Sequence, residues 1–131
     1  MVNVDVAARR LPIVLVVDPE TASRHLVWRV LSRSFGVLEA RDARRARDWL
    51  TDRTDIDALI VQRELPDAHG SDLVKSLLSE RLEVASHSLL VTRPVDLRAV
   101  LMSLTSWFFT RDGRDTMKAE ALRREAARLV S

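Results

Sequence analysis

The sequence predicts an α/β fold, a doubly wound parallel sheet covered by helices on both faces. Three observations carry that reading. Short apolar runs rich in β-branched residues, above all Pro12–Asp18 (PIVLVVD) and Ala58–Val61 (ALIV), have the unbroken hydrophobicity of strands buried on both sides. Stretches of helical period, roughly 10–15 residues each, alternate with them. Turn and cap residues stand at the joints between the two. Five such strand–helix units use the chain from Pro12 onward, with no internal repeat, linker or low-complexity tract.

Composition sets limits on function. With 131 residues, 47 % hydrophobic and 31 % charged, residues 12–131 make one domain with a real core. Residues 1–11 read as a short disordered leader, because Met1–Arg10 lacks an apolar core of signal-peptide length. No apolar run approaches the ~18 residues of a membrane span, so no membrane association is expected and the expected location is cytoplasmic. The absence of cysteine excludes disulfides, thiolate catalysis and cysteine-ligated metal together. The net charge is only +2. The pI of 9.9 reflects the lack of Tyr and Cys, since little then titrates between His and Lys. That is not the charge footprint of a nucleic-acid binder.

Taken in order, Pro12–Asp18 is a buried strand ending in an acid. A helix begins at Pro19-Glu20-Thr21, where Pro suits a first turn and Glu meets the positive end of the dipole. Its apolar stripe is Ala22, Leu26, Val27, Val30 and Leu31, with Trp28 nearly opposite. Gly36–Ala40 (GVLEA) is a less apolar strand, expected nearer a sheet edge. Asp42 can cap a helix over Ala43–Arg53 that turns Ala43, Ala46, Trp49 and Leu50 inward. Arg44, Arg45, Arg47 and Asp48 then face outward.

The central unit is Asp57–Gly70 (DALIVQRELPDAHG). Gln62, Arg63 and Glu64 fall where the Ala58–Val61 strand ends, the position at which an open α/β sheet places its chemistry. Leu65–Gly70 is a loop closed by glycine. Ser71 or Asp72 is placed to cap the helix Ser71–Leu82, with Leu73, Val74, Leu77 and Leu78 inward. Ser88–Thr92 (SLLVT) is a further short strand, and a helix over Val95–Leu104 gathers Leu97, Val100, Leu101 and Leu104 on one face. Trp107-Phe108-Phe109-Thr110, a turn at Gly113 and an Ala/Arg/Glu-rich helix from Asp115 complete the chain.

VVDPE at 16–20, Arg24, EARDARRARDWL at 39–50 and DALIVQRELPDAHGSDLV at 57–74 stand in a familiar order and spacing. In these motifs the chain resembles a response-regulator receiver domain of bacterial two-component signalling, well over residues 12–92 and less closely beyond. The resemblance implies a flavodoxin-like (βα)5 three-layer sandwich with a central five-stranded parallel sheet. It also implies autophosphorylation of a strand-end aspartate, with Mg²⁺ on a pair of acids after the first strand. A Ser or Thr after the fourth strand and a Lys after the fifth complete such a site.

Carried over residue by residue, the site is damaged. Asp18 matches the first acid of the pair, Pro19 stands where the second belongs, and Glu20 follows. Gln62 stands at the phosphoacceptor position, and Thr92 at the position of the switch hydroxyl. Phe108-Phe109-Thr110-Arg111 resembles the fifth strand, which puts Arg111 at the Lys position. Alternatively Thr92-Arg93-Pro94-Val95 is that strand end, one strand–helix unit is missing, and Arg93 replaces the Lys. A Gln amide is a poor nucleophile and forms no stable acyl phosphate. Asp18 remains and Glu20 is within reach, but with an Arg expected nearby, Mg²⁺, which prefers several hard oxygen ligands, is expected to bind weakly at best.

The expected protein is therefore a pseudo-receiver, not an enzyme, with no cofactor or metal, that docks protein partners in bacterial regulation. Gln62 serves either as an arm of a hydrogen-bond network with Thr92 and an Arg, or as polar filler. Asp18 is expected to pair with Arg93 or Arg111. Asp67 and Glu64 are acids near the pocket mouth and the candidates for a surrogate phosphoacceptor. His25, His69 and His87 lack metal-ligand spacing, and three glycines make no phosphate loop. Trp28 is either an interface anchor or packs on an Arg stem. Arg44, Arg45 and Arg47 form a solvated face, or meet an acidic partner or nucleic acid as part of a larger transcriptional regulator. Trp107 is either core or contact surface, and residues 94–130 are the expected output face and homodimer contact.

Overall fold

The computed structural model describes residues 11–109. All but the last residue of the expected leader over residues 1–11, and the turn and helix expected beyond Phe109, lie outside these residues. The elements are β1 (Ile13–Val17), α1 (Thr21–Leu31), β2 (Gly36–Ala40), α2 (Ala43–Asp52), β3 (Ile56–Gln62), α3 (Gly70–Glu80), the single turn α4 (Leu82–Ala85), β4 (Ser88–Val91) and α5 (Leu97–Phe108). The four strands are all parallel, in the order β2-β1-β3-β4. The chain therefore has the flavodoxin-like fold, with β1 and β3 central and β2 at an edge as its thinner apolar content predicted.

Alternation along the central strands divides the interior in two. Val14, Val16, Ala58 and Ile60 face α1 and α5, meeting Val27, Leu31, Val100, Leu101 and Leu104. Leu15, Val17, Leu59 and Val61 face α2, α3 and α4, meeting Ala46, Leu50, Leu73, Leu77 and Val84. Both faces of β1 and β3 thus leave water, which is why their sequences show no polar alternation.

Side chains tie the layers at the joints. Asp42 accepts from the Arg45 amide at the start of α2 (2.8 Å), the cap the sequence suggested. A second acid caps the same helix from 24 residues away: Asp67 accepts from the amides of Ala43 and Arg44, each at 2.9 Å. At the other end of α2, the Arg81 guanidinium donates to the carbonyls of Leu50 (3.0 Å) and Arg53 (3.2 Å), closing acceptors that a helix end leaves open.

Several expectations need correction. α5 runs on to Phe108, with Phe109 as its C-cap, so no fifth strand begins at Phe108. The helical stripe simply continues, and the Phe109 ring packs on Phe35 with centroids 5.4 Å apart. α3 starts at Gly70 with His69 at the cap position, and neither Ser71 nor Asp72 caps it. Leu26 (48 % exposed) and Leu78 (55 % exposed) face solvent rather than the core. Each lies at the margin of its helical stripe, where the buried strip is narrower than the apolar one.

Gly70 is fixed by contact. A Cβ there would lie 2.2 Å from the Gln62 carbonyl oxygen, a backbone atom at the end of the central strand. At Gly36 the nearest atom is the mobile tip of Ile13, at 2.7 Å. Gly70→Ala is therefore expected to cost about 3 kcal/mol or more and Gly36→Ala under ~1 kcal/mol, measured by urea unfolding of the two variants.

Candidate functional site

The carboxyl ends of β1, β3 and β4 converge on one small cluster. β1 delivers Asp18, the residue after its end. β3 delivers Gln62, its last residue. The turn after β4 delivers Arg93, whose peptide bond to Pro94 is cis. Asp18 and Gln62 are buried, at 2 % and 4 % exposure, and Arg93 reaches in from the surface.

Both oxygens of the Asp18 carboxylate accept hydrogen bonds. Arg93 Nη2 donates to Oδ1 at 2.8 Å, and the Glu20 amide donates to the same oxygen at 2.9 Å. The Gln62 side-chain amide donates to Oδ2 at 3.3 Å. The Ser23 hydroxyl is a further hydrogen-bond donor to this carboxyl. The Glu20 carboxylate stands 3.8 Å from Arg93 Nε and extends the charge pair outward. Arg24 closes the rim, donating to the Asp18 carbonyl (2.8 Å) and to Glu39 (3.0 Å).

Burial alone would push the Asp18 carboxyl up. The hydrogen bonds from Ser23, Arg93 and Glu20, together with the Arg93 charge, outweigh it and hold the group below the usual carboxylate range. The carboxylate is thus ionised and fully partnered, and no buried side-chain polar atom among the described residues lacks a hydrogen bond.

This donor set does not fit Mg²⁺. The ion needs near-octahedral hard oxygens, and here the one buried carboxylate already accepts from Arg93, Gln62 and the Glu20 amide, while the exposed Glu20 carboxylate stands on the outer side of Arg93. Arg93 brings its own positive charge to the place a cation would occupy. Among the described residues no group of three or more His, Asp or Glu gathers anywhere. Gln62 offers a neutral amide whose nitrogen is committed to Asp18, which leaves no carboxylate at the tip of β3.

The other singled-out residues scatter. Thr92 is exposed and lines a groove between β4 and α5, apart from the Asp18–Gln62–Arg93 cluster. Pro19 is half-buried beside Asp18. Arg111 lies outside the described residues, and Arg93 holds the contact with Asp18. Asp67 is occupied as the α2 cap. Burial raises its pKa, but the backbone amides of Ala43, Arg44 and Asp67 and the Arg47 charge together outweigh it and leave it lowered. Glu64 pairs with His69 at 3.1 Å on the exposed loop. Arg45 lies over the Trp49 ring at 4.4 Å. Trp28 is 38 % exposed and stacks on His25 (5.6 Å), rather than on an Arg stem. Trp107 is half-buried and packs on His87 at 5.0 Å. Sequence reasoning missed the Asp67 cap and the Arg81 clamp, whose partners lie too far along the chain to leave a local signal; it also missed Ser23, one turn from Asp18, since a serine in a first helical turn carries no distinctive mark.

No family model and no curated protein matches the chain. Solved structures do. A response regulator receiver protein from Pseudomonas putida superposes with a TM-score of 0.62 at 23 % identity, over 73 % of this chain and 97 % of its own. The signal receiver domain of an HD domain-containing protein from Pseudomonas fluorescens Pf-5 gives 0.66 at 20 % identity, over 74 % and 94 %. In a co-crystal from Saccharomyces cerevisiae, of the histidine phosphotransfer signalling protein Ypd1 with the receiver domain of Ssk1, the values are 0.66 and 14 %, over 76 % and 90 %. The class that architecture defines is the receiver fold.

The lowered pKa of Asp18 has a definite sign. Its contribution to stability is complete above the unfolded carboxylate pKa and is lost as pH falls through the lower folded value. In Arg93→Ala, burial acts with less opposition and the folded pKa rises. The variant is expected to unfold at a higher pH than the wild type in an acid titration followed by circular dichroism. Coincident acid transitions would show that Arg93 does not support the carboxylate.

Proposed function

We propose that this chain is a receiver-fold signalling module that works without being phosphorylated and acts by binding a protein partner. The single observation behind this reading is the state of the Asp18–Gln62–Arg93 cluster. A phosphoryl group needs a nucleophilic carboxylate and positive charge on its equatorial oxygens. Here the strand-tip residue is an amide, and the one remaining acid is neutralised by an arginine. The cluster joins the ends of three strands in one arrangement, so it supports a constitutive rather than a switched surface.

The surface next to it supports the second half of the proposal. An open cleft of about 430 Å³ runs between α1 and the turn after β4, lined by Ala22, Leu26, Val27, Pro94 and Val95, with Glu20 and Arg93 at one side. Exposed Leu26 borders it, and Trp28 adds a large aromatic on the same helix. Apolar anchors beside a charged rim are the usual make-up of a protein-binding patch. A histidine phosphotransfer protein, the class seen bound to the Ssk1 receiver domain, is the first partner to test there.

Incubation with acetyl phosphate and Mg²⁺, read by intact mass, is expected to leave the wild type unmodified. A stable phosphoryl adduct overturns the proposal, and its loss in Asp67→Asn would move the chemistry to that acid. For the surface, Leu26→Ala and Trp28→Ala are each expected to weaken a histidine phosphotransfer partner by about tenfold or more, the size of an interface anchor, in calorimetric titration. Unchanged affinity in both variants would remove α1 as the docking face.

A further inference from the structure

The folding of α2 does not account for the arginines at its start. Cations are unfavourable at the positive end of a helix dipole, yet Arg44 and Arg45 stand in the first turn, Arg41 just before the cap, and no acid shares that turn. The backbone there is already satisfied. The amides of Ala43 and Arg44 donate to Asp67, that of Arg45 to the Asp42 carboxylate and that of Ala46 to the Asp42 carbonyl. What this helix end offers outward is side chains alone.

Those side chains line an open cleft of about 610 Å³, where α2 follows the carboxyl end of β2. That volume is in the range of small-molecule sites. Arg24 and Glu39 form one wall and neutralise each other at 3.0 Å. Arg45 forms another. Its guanidinium lies 4.4 Å over the Trp49 ring, and the Trp49 indole N–H is held by the Glu39 carbonyl at 2.9 Å. Arg41 and Arg44 are exposed, and no hydrogen bond or ion pair ties either guanidinium to another described residue. Asp48 lines the same cleft and has no ion-pair partner among the described residues either. Two uncommitted cations, a positioned third and one uncommitted acid thus share a single concave surface.

We propose that this cleft binds a guanine nucleotide. Arg41 and Arg44 take the phosphate oxygens, which a guanidinium fork meets two at a time. The base stacks against Arg45, a guanidinium plane already positioned on Trp49. Asp48 accepts from the base edge. Guanine alone among the bases presents two adjacent donors, its ring N–H and its exocyclic amine, to match the two oxygens of a carboxylate. A longer polyanion, whether nucleic acid or an acidic peptide, fits less well. Asp42 and Asp48 stand in its path, and a net charge of +2 lacks the footprint of a polyanion binder. The site is separate from the Leu26–Pro94 surface, so the inference stands or falls independently of partner docking there.

Calorimetric titration of the full chain with guanosine diphosphate tests this, with adenosine diphosphate and inorganic pyrophosphate as the comparison probes. Guanosine diphosphate is expected to bind about tenfold or more tighter than either, the size of one well-made charge-assisted contact. Arg41→Ala with Arg44→Ala is expected to weaken it by about tenfold or more. Asp48→Ala is expected to remove the preference for guanine over adenine. None of these changes threatens the fold, since all three side chains are exposed and the two arginines oppose the α2 dipole. No binding of guanosine diphosphate, equally tight binding of either comparison probe, or unchanged affinity in the double arginine variant overturns the proposal. A guanine preference that survives Asp48→Ala overturns it as well.

Discussion

A buried carboxylate at the end of the first strand holds the top of this molecule together. Asp18 takes donors from α1, β3 and the turn after β4, so three separately folded pieces of chain meet on two oxygen atoms. An isolated charge at that depth would be costly, and an arginine with three further donors offsets the cost. The same hydrogen bonds occupy oxygen atoms that a metal ion would need.

Two features follow from that constraint. The strand ends are tied to one another through Asp18, beside the surface of α1 and the turn at Pro94. The loop after β3 is locked as well, because Asp67 spends both oxygens on the first amides of α2. An acid that the sequence offers as a surrogate phosphoacceptor is, in three dimensions, a helix cap. Its charge meets the positive end of the α2 dipole, which is a structural task.

The contrast between the two sides of the sheet is equally physical. At the β2 edge, Glu39, Arg24 and Trp49 knit the strand to its helices. At the β4 edge, half-buried leucines and a valine meet a cleft. Leu26 and Leu78 show how far a periodicity can mislead here. A helical stripe reports which residues are able to face a core, and the width of the neighbouring layer decides how many of them do.

Unbroken apolar runs, helical spacing and cap residues were enough on their own to give the parallel sheet, the order of β1 to β4, the Asp42 cap and the neutral amide at the tip of β3. These are local properties, set by side-chain chemistry within a few residues. The partner of Asp18, the double cap on α2, the Arg81 clamp and the helical state of Phe108 depended on contacts between residues far apart in the chain. Arg93 and Arg111 looked alike in sequence because both follow a short apolar run. Packing places Arg93: the turn after β4 brings it within hydrogen-bond reach of the buried acid.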